Sequence, residues 1–421
     1  MAKNHLREQS FLHYNIVMIE LNADQKQADK KIADWFFKGT RQVFVLTGYA
    51  GTGKTSLLKY TVSESLHLID GESVAFVTPT GKAATVLIKK GVTACTVHRL
   101  IYQSQAIEEE IEVNGKKVKV EKLIFKRRES IDKAIKLIVL DEASMVSAEM
   151  LSDVLSFGVK VLLCGDDAQL PPVEGFNTYL KTPDYTLTSI VRQQEDNPII
   201  LLSKLAREGK FVPYGNFGDK AFVINGRRFS GDKRARLLNR ADQIICGLNS
   251  TRAKINDEVR AIRGYEGLLP RHGEKLICTY NNWEQYIDGE MRFNLVNGII
   301  GTAIEPFYDM MNGIGFTQFK PDFLDENCPE ALPFDIGIFE NGRFRYKHGD
   351  YFAKFDENGE AVGAFTLNRF EYGYCISCHK SQGSEFGSAI VFDESYAFRE
   401  DANRWLYTAI TRAKDKLILI R

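Results

Sequence analysis

The sequence lacks an excess of charge of either sign, a long apolar run and a paired set of cysteines. Its 55 basic residues balance 55 acidic ones, so any nucleic-acid surface must come from local clusters rather than bulk charge. No run reaches the roughly 18 apolar residues of a membrane span, and the first residues lack a signal-peptide pattern. The seven cysteines are odd in number and lie far apart, which argues against a disulfide framework. We therefore expect a cytoplasmic protein with reduced thiols and no membrane partner.

An ordinary globular composition extends over 421 residues, of which 44% are hydrophobic and 26% charged. At roughly 100–200 residues per domain, this length predicts two to four domains. Buried strands alternate with helical segments from about residue 21 to 190 and again from 366, which predicts an α/β fold with parallel sheets. Between 271 and 365, an antiparallel β insert is indicated by recurrent Asn-Gly pairs and by a strand-like alternation from Gly337 to Lys347 across one of them; the pairs begin at Asn297, Asn312, Asn341 and Asn358.

A phosphate-binding loop is the clearest local motif. An apolar run at residues 43–47 is typical of a buried strand, residues 48–55 spell Gly-Tyr-Ala-Gly-Thr-Gly-Lys-Thr, and helical spacing follows. The glycines let backbone N–H groups point at phosphate oxygens, and the start of a helix favours an anion. In such a loop Lys54 reaches the β- and γ-phosphates and Thr55 holds Mg²⁺. The alternative is a tight turn that only precedes a helix.

Two further apolar runs end in polar side chains that suit phosphate chemistry. Residues 136–140 lead to Asp141, which is placed to position Mg²⁺, and to Glu142, which is placed to polarise a water molecule. Residues 160–164 lead to a loop in which Gln169 is placed to sense a γ-phosphate. Arg192 and Arg412 are candidates for the cation that neutralises the transition state, because guanidinium keeps its charge and forks onto phosphate oxygens. The alternatives are a surface Asp-Glu pair and solvated arginines.

Taken in order, these segments resemble superfamily 1B DNA helicases, the RecD/Dda-like group that moves 5′→3′. The motifs that produce this likeness extend over nearly the whole chain, namely Asp24-Gln25 and residues 78–84, 96–100, 165–173, 187–193, 379–385 and 406–413. Residues 165–173 match the family's GDxxQLPPV signature, and the last two segments resemble its HKxQGxE and YTAxTRA motifs. Ser377 and Cys378 depart from the residues usual in the family.

The resemblance implies a set of functional residues, with ATP and Mg²⁺ as cofactors. The residues implied to bind ATP are Gln25, Gly48, Ala50, Gly51, Thr52, Gly53, Lys54, Thr55, Ser56 and Glu385. Those implied to hold the metal are Thr55 and Asp141. Those implied to be catalytic are Lys54, Glu142, Gln169, Arg192 and Arg412. Those implied to contact DNA are Pro79, Thr80, His98, Asn249, Ser377, His379 and Lys380.

The resemblance also implies a division of the chain. Residues 21–100 with 131–190, and residues 191–270 with 366–421, would form two RecA-like domains behind an N-terminal arm at 1–20. Residues 271–365 would form a small SH3-like β insert. Residues 101–130 alternate around Asn114-Gly115, which predicts a β-hairpin. This hairpin is either a solvated surface feature or the family's pin at the duplex fork, where Tyr102 or Phe125 would act; the sequence does not choose between them.

We therefore expect an ATP-dependent DNA helicase that translocates 5′→3′ on single-stranded DNA and separates duplex. The implied form is a monomer acting in DNA replication, repair or recombination, encoded by a bacterium or by a phage in its host's cytoplasm. Single-stranded DNA and duplex junctions would be its partners, with single-strand-binding or replication proteins as further candidates. The alternatives are a P-loop nucleotide or metabolite kinase, an ATP-switched nucleic-acid-binding protein without unwinding, and the opposite-polarity branch of superfamily 1.

One motif points elsewhere. Cys375, Cys378 and His379 spell CxxCH, the attachment pattern of c-type haem. It overlaps the segment that resembles HKxQGxE, and no second CxxC or His pair completes four zinc ligands. We therefore expect neither haem nor zinc at this position.

Overall fold

The computed structural model describes residues 20–113, 116–171, 178–191, 196–290, 292–347, 349–355 and 361–421. The predicted arm at 1–20 lies outside these residues except for its last position, and so do Arg192 and the Asn-Gly turns at Asn114 and Asn358. We call residues 20–191 the first half and residues 196–421 the second half. Each half contains a six-stranded sheet that is wholly or mostly parallel.

The first half places its functional loops at one edge of a parallel sheet. Its strands are β1 Val43–Gly48, β2 Val74–Thr78, β3 Ala94–Thr96, β4 Tyr102–Val113, β5 Lys116–Arg127, β6 Leu137–Leu140, β7 Lys160–Gly165 and β8 Tyr185–Leu187. Except for β4 and β5, they pair in parallel in the order β3-β2-β6-β7-β1-β8. Every residue of β6 is buried, as expected for a parallel strand covered on both faces. The loops that follow β1, β6 and β7 therefore meet at the carboxyl edge, where α/β proteins bind ligands.

Helices cover this sheet, and their ends have identifiable caps. They are α1 Ala23–Lys38, α2 Lys54–Tyr60, which continues into a π turn at Thr61–Ser65, α3 Gly81–Lys89, α4 Val97–Ile101 and α5 Ala148–Leu155. Asn22 and Gln25 form a capping box at the start of α1, each side chain accepting a hydrogen bond from the other's backbone N–H. Short 3₁₀ turns elsewhere in the described chain lie at Ala143–Met145, Thr178–Lys181, Gly226–Arg228, His379–Ser381 and Ser395–Asp401.

Strands β4 and β5 confirm the predicted hairpin. They pair antiparallel in unbroken register, from Tyr102 opposite Arg127 at the base to Val113 opposite Lys116 at the far end. The hairpin leaves the first sheet after α4, and it contacts strands of the second half that are defined in the next paragraph, including Tyr351–Phe355. It is therefore held from both halves of the molecule.

The second half contains a second α/β sheet interrupted by an antiparallel one. Its strands are β9 Gly215–Phe217, β10 Ala221–Ile224, β11 Gln243–Cys246, β12 Lys275–Cys278, β13 Asn282–Tyr286, β14 Asn294–Leu295, β15 Ile300–Asp309, β16 Ile314–Pro321, β17 Leu332–Asp335, β18 Tyr351–Phe355, β19 Ala361–Thr366, β20 Phe370–Tyr372, β21 Cys375–Ser377, β22 Phe386–Phe392 and β23 Ala413–Ile420. Its helices are α6 Pro198–Arg207, α7 Gly231–Arg240, α8 Asn249–Ile262, α9 Gly337–Asn341 and α10 Ala402–Ile410.

The order of the second α/β sheet is β21-β11-β22-β23-β10-β9, and all its pairs are parallel except β9 with β10. This arrangement confirms the predicted α/β class with two parallel-sheet units. Leu170 of the first half packs in the same apolar cluster as Trp405 and Tyr407 of α10. The two halves therefore share buried surface beside the loops that follow β7.

The antiparallel sheet has the order β17-β16-β15-β12-β20, with separate pairs β13-β14 and β18-β19. The predicted Asn-Gly turn at Asn312 joins β15 to β16. The sequence ends the insert at residue 365, but β20 still pairs with β12, so antiparallel pairing reaches residue 372. The likeness of this insert to an SH3 barrel stays a prediction.

One predicted strand is wrong. The alternation that starts at Gly337 forms helix α9, because the Asp335 carboxylate accepts the N–H of Gly337 and holds the first turn. The helix ends at Gly342, whose φ of 68° lies in the left-handed region that glycine favours. Among the described residues, no helix is both long and apolar enough to cross a membrane.

Candidate functional site

The phosphate-binding loop between β1 and α2 has the backbone geometry that its glycines permit. Gly51 and Gly53 have φ values of 82° and 73°, in the left-handed region. A Cβ atom at Gly53 would lie 2.6 Å from Gln25 Nε2 and 2.8 Å from Val191, so a larger residue does not fit. Lys54 Nζ donates to the Gly48 carbonyl at 2.6 Å, which curls the lysine back over its own loop. The loop therefore curves around the ammonium group of Lys54.

Three carboxylates surround this ammonium group. Burial alone would lower the pKa of Lys54, but the negative charges around it, of which Asp166 has the largest effect, outweigh burial and raise that pKa. Lys54 is therefore held fully charged in the cleft. A charged ammonium there provides a fixed counter-charge for phosphate oxygens.

Glu142 follows β6 in a left-handed conformation, with a φ of 55°. Burial and the charge of Asp141 raise its pKa, while Arg412 and Lys54 oppose that rise. A carboxyl group whose pKa is raised toward the working pH is suited to accept a proton from water. Asp141 is 9% exposed, and its Oδ1 accepts the N–H of Glu142 at 3.0 Å.

Arg412 reaches the same cleft from the second half. Its guanidinium group is 5% exposed and donates to the carbonyls of Thr408 at 3.0 Å and Ser384 at 3.1 Å. Lys54, Glu142 and Arg412 line one cleft of about 440 Å³ between the two halves. The structure thus brings together the predicted lysine, glutamate and arginine, which are distant in sequence.

The remaining predicted ATP residues divide into two groups. Ala50, Gly51, Gly53, Thr55, Ser56 and Glu385 also line this cleft, as do the predicted metal ligand Asp141 and the predicted catalytic residue Gln169. Thr52 is fully buried and hydrogen-bonds within the loop. The side-chain oxygen of Gln25 accepts a hydrogen bond from the Asn22 N–H, and its Nε2 donates to the Thr52 carbonyl at 3.0 Å. Both ends of the side-chain amide are therefore hydrogen-bonded to backbone groups. Its role as an adenine reader stays a prediction.

Gln169 has an unmet hydrogen-bonding capacity. It is 7% exposed, its Nε2 donates to Asp166 at 3.4 Å, and its Oε1 has no partner among the residues that the structure describes. Buried polar atoms are nearly always hydrogen-bonded, so an unpartnered oxygen beside the cleft suits contact with a bound group.

Five of the predicted DNA residues line a second groove of about 460 Å³: Thr80, Asn249, Ser377, His379 and Lys380. Burial lowers the pKa of Lys380 despite the opposing charge of Glu371. Glu394 holds the neighbouring loop because its carboxylate accepts the N–H groups of Gly247 and Leu248 at 2.7 and 2.8 Å. The groove therefore has polar walls from both halves on well-supported loops.

The other predicted DNA residues lie elsewhere. His98 stacks on Trp283 with ring centroids 3.9 Å apart, and burial lowers its pKa to about 4. Phe125 packs edge-on against His98 at 5.4 Å. The Tyr102 hydroxyl donates to Asp153.

Tyr102 and Phe125 are the two aromatics predicted to act on the pin, and that role stays a prediction. Both are half-buried at the base of the hairpin, because contacts with the first sheet and with Trp283 enclose them. Pro79 is half-buried beside Thr80. Cys375 and Cys378 of the CxxCH pattern are fully buried in the second half.

Comparison with known proteins finds two family models and several relatives that match parts or most of this chain. The AAA domain family matches residues 20–223, and the UvrD-like helicase C-terminal domain family matches residues 372–420. The ATP-dependent RecD2 DNA helicase of Deinococcus radiodurans is 26% identical, over 89% of this chain and 46% of its own length. The ATP-dependent DNA helicase Pif1 of Campylobacter jejuni is 25% identical, over 87% of this chain and 86% of its own.

Over most of its length the chain is therefore similar to RecD- and Pif1-type DNA helicases. A solved structure of Bacteroides Pif1 bound to single-stranded DNA aligns with 95% of this chain and 92% of its own, at 18% identity and a TM-score of 0.48. The chain spans less than half the length of several curated relatives that it matches.

Sequence reasoning missed one buried residue that contacts the phosphate-binding loop beside this cleft. Tyr407 of α10 is 1% exposed, and its hydroxyl accepts the N–H of Ala50 at 2.8 Å. The same hydroxyl donates to Asp166 at 2.6 Å. Tyr407 lies within the segment that resembles YTAxTRA, so the motif was visible, but its contacts across the halves were not.

Proposed function

We propose that this chain is an ATP-dependent DNA helicase that moves 5′→3′ along single-stranded DNA and separates duplex ahead of it. The single observation that supports this most is the position of Arg412. It approaches the phosphate-binding loop from the other half of the molecule, in the cleft that Lys54 and Glu142 line. A nucleotide between them touches both halves, so its hydrolysis changes how the halves are held together.

The cleft residues suit hydrolysis of a terminal phosphoryl group. Lys54 supplies a charged ammonium group to the phosphates, and Glu142, with its raised pKa, takes the proton of the attacking water. Arg412 neutralises charge that develops on the transferred group. Gln169 offers its unpartnered oxygen to the water or to the phosphate-bound water network. Arg192 is proposed as a second cation on resemblance alone.

Mg²⁺ fits the donor set of this cleft. The Thr55 hydroxyl and the Asp141 carboxylate both line it, and hard oxygen donors are the ligands that Mg²⁺ prefers. Burial and, after it, the charge of Asp141 raise the pKa of Glu142, and a cation bound to Asp141 would offset that charge. Thr55 and Asp141 would hold the metal, and its chemistry is neutralisation of the phosphate oxygens.

The second groove is the proposed path of the strand. Gln382 and Ser384 line the groove, whereas Gly383 between them lines the nucleotide cleft. Three consecutive residues therefore line both sites. This arrangement supports coupling between ATP hydrolysis in the cleft and binding of single-stranded DNA in the groove. We propose that a monomer suffices, because both sites are built within one chain. Single-strand-binding or replication proteins are the further partners we propose.

A strand-displacement assay with 5′-tailed and 3′-tailed duplexes tests this function. We expect unwinding of the 5′-tailed duplex only, together with ATP hydrolysis that single-stranded DNA accelerates. A preference for the 3′ tail would contradict the polarity. Hydrolysis without response to DNA would favour a nucleotide or metabolite kinase, and DNA-stimulated hydrolysis without strand separation would favour an ATP-driven binding switch.

The proposed groove makes a second, independent expectation. Phosphate contacts release counter-ions, so affinity for a single strand should fall steeply as salt rises. A dissociation constant that hardly changes between low and moderate salt would contradict a backbone-binding path through this groove.

A further inference from the structure

The Tyr407 hydroxyl is a direct hydrogen-bonded link between the phosphate-binding loop and the second half. It accepts a hydrogen bond from the Ala50 N–H at 2.8 Å and donates one to Asp166 Oδ2 at 2.6 Å. The hydroxyl therefore acts as both acceptor and donor. Its ring is held in the apolar cluster that also contains Leu170 and Trp405. The hydroxyl is therefore fixed in position from the second half while both its partners belong to the first.

The partners of this hydroxyl are close to the proposed chemistry. Asp166 lines the same cleft as Lys54. It also accepts the amide of Gln169 at 3.4 Å. A group that orients the Asp166 carboxylate therefore acts on two residues that would contact the terminal phosphate.

Tyr407 shares its helix end with the arginine. Helix α10 ends at Ile410, and Arg412 follows within two residues. The Arg412 guanidinium donates back to the carbonyl of Thr408, the neighbour of Tyr407. The position of Tyr407 against the phosphate loop is therefore linked, through the end of helix α10, to the position of Arg412.

We propose that Tyr407 is a positioning residue that aligns the two halves for phosphoryl transfer. This inference rests on the proposed ATP hydrolysis. The tyrosine acts through Asp166, the phosphate loop and Arg412 rather than on the nucleotide itself. Its contribution matters most when the terminal phosphoryl group bridges Lys54 and Arg412, and little when only a diphosphate occupies the loop.

The test uses Tyr407→Phe, which removes the hydroxyl and keeps the ring that fills the core. The matched control is Tyr374→Phe, another buried tyrosine, whose hydroxyl donates to Glu274 at 3.3 Å inside the second half. Two buried hydrogen bonds of ordinary strength correspond to about a tenfold effect. We therefore expect Tyr407→Phe to lower kcat for ATP about tenfold with KM changed by less than about threefold, and the control to lower neither.

Ligand binding separates a positioning role from a merely structural one. For Tyr407→Phe we expect affinity for ADP with aluminium fluoride to fall about tenfold and affinity for ADP alone to stay within about twofold. Equal loss of both affinities would overturn the proposal, since it would mean that the hydroxyl only supports the loop. An unchanged kcat, or the same loss in Tyr374→Phe, would also overturn it.

The failure of this inference can be told from the failure of the proposed function. If the unaltered protein hydrolyses ATP but does not respond to DNA, the helicase proposal fails while the comparison of the two variants still tests Tyr407. If DNA stimulates the unaltered protein and Tyr407→Phe behaves normally, only the inference about Tyr407 fails. Circular dichroism melting checks that both variants remain folded.

Discussion

Replacement of Arg412 is the most discriminating perturbation of the cleft. Its guanidinium donates from three nitrogens, to Thr408 O, Ser384 O and Thr411 Oγ1, all at 3.0–3.1 Å. A lysine in its place keeps one positive charge but cannot reproduce this fork. Arginines that stabilise phosphoryl transfer contribute about 10³–10⁵ in rate, so we expect both Arg412→Lys and Arg412→Gln to lower kcat by at least about 10³.

The pH dependence distinguishes these two variants. Arg412 lowers the pKa of Glu142, against the burial and the Asp141 charge that raise it. Glu142 must be ionised to accept a proton, so turnover is lost as pH falls through its pKa. Removal of the positive charge in Arg412→Gln raises that pKa, and the acid limb should move to higher pH. Arg412→Lys keeps the charge, so its acid limb should stay near that of the unaltered protein.

The assay is single-turnover hydrolysis of radiolabelled ATP with single-stranded DNA present, measured from pH 5 to 9. Arg404→Gln is the control, because Arg404 lies on the same helix with 45% of its side chain exposed and pairs at the surface with Asp401. An exposed pair contributes little, so turnover should stay within about twofold. Near-normal turnover in Arg412→Lys, or an acid limb in Arg412→Gln that moves to lower pH, would refute the reasoning.

Three further predictions follow from single contacts. Glu142→Gln should lower hydrolysis about 10²–10⁴-fold while affinity for a fluorescent ATP analogue stays within about threefold; rapid hydrolysis would remove Glu142 as the base. Lys380→Ala should reduce the slope of log affinity for single-stranded DNA against log salt by about 0.7, in a fluorescence-anisotropy titration, and an unchanged slope would place Lys380 off the strand. Asn22→Ala removes half of the capping box of α1 and should lower the free energy of unfolding by about 1 kcal/mol in urea, whereas an unchanged midpoint would mean that the cap is not stabilising.

The local parts of the site were predictable from sequence. The phosphate loop depends on a buried strand, left-handed glycines and a helix start, all within residues 43–60. Apolar runs that end in Asp141 and in the loop after β7 are also local signals. Because parallel strands place their carboxyl ends at one edge, their convergence follows from the fold class alone.

Other parts depend on contacts that no local pattern specifies. His98 follows a short strand in the first half, and its stacking partner Trp283 belongs to the insert of the second half. The alternation at 337–341 suits a strand as well as a helix, and the Asp335 side chain decides in favour of the helix. Short apolar-polar patterns are ambiguous in this way whenever a neighbouring cap determines the outcome.

Buried hydrogen bonds between the halves join the cleft to the proposed strand groove. Leu170 follows Gln169, its N–H donates to Thr408 Oγ1 at 2.9 Å, and its carbonyl accepts from Gln382 Nε2 at 2.6 Å. Gln382 lines the groove, and Arg412 holds the adjoining Ser384 carbonyl. Because these hydrogen bonds are buried, breaking one would leave a polar group unsatisfied, which costs free energy. A movement of Gln169 or Arg412 would therefore either break these bonds at that cost or keep them and move the groove wall. If these bonds persist during turnover, they would move the loop that we propose grips the strand.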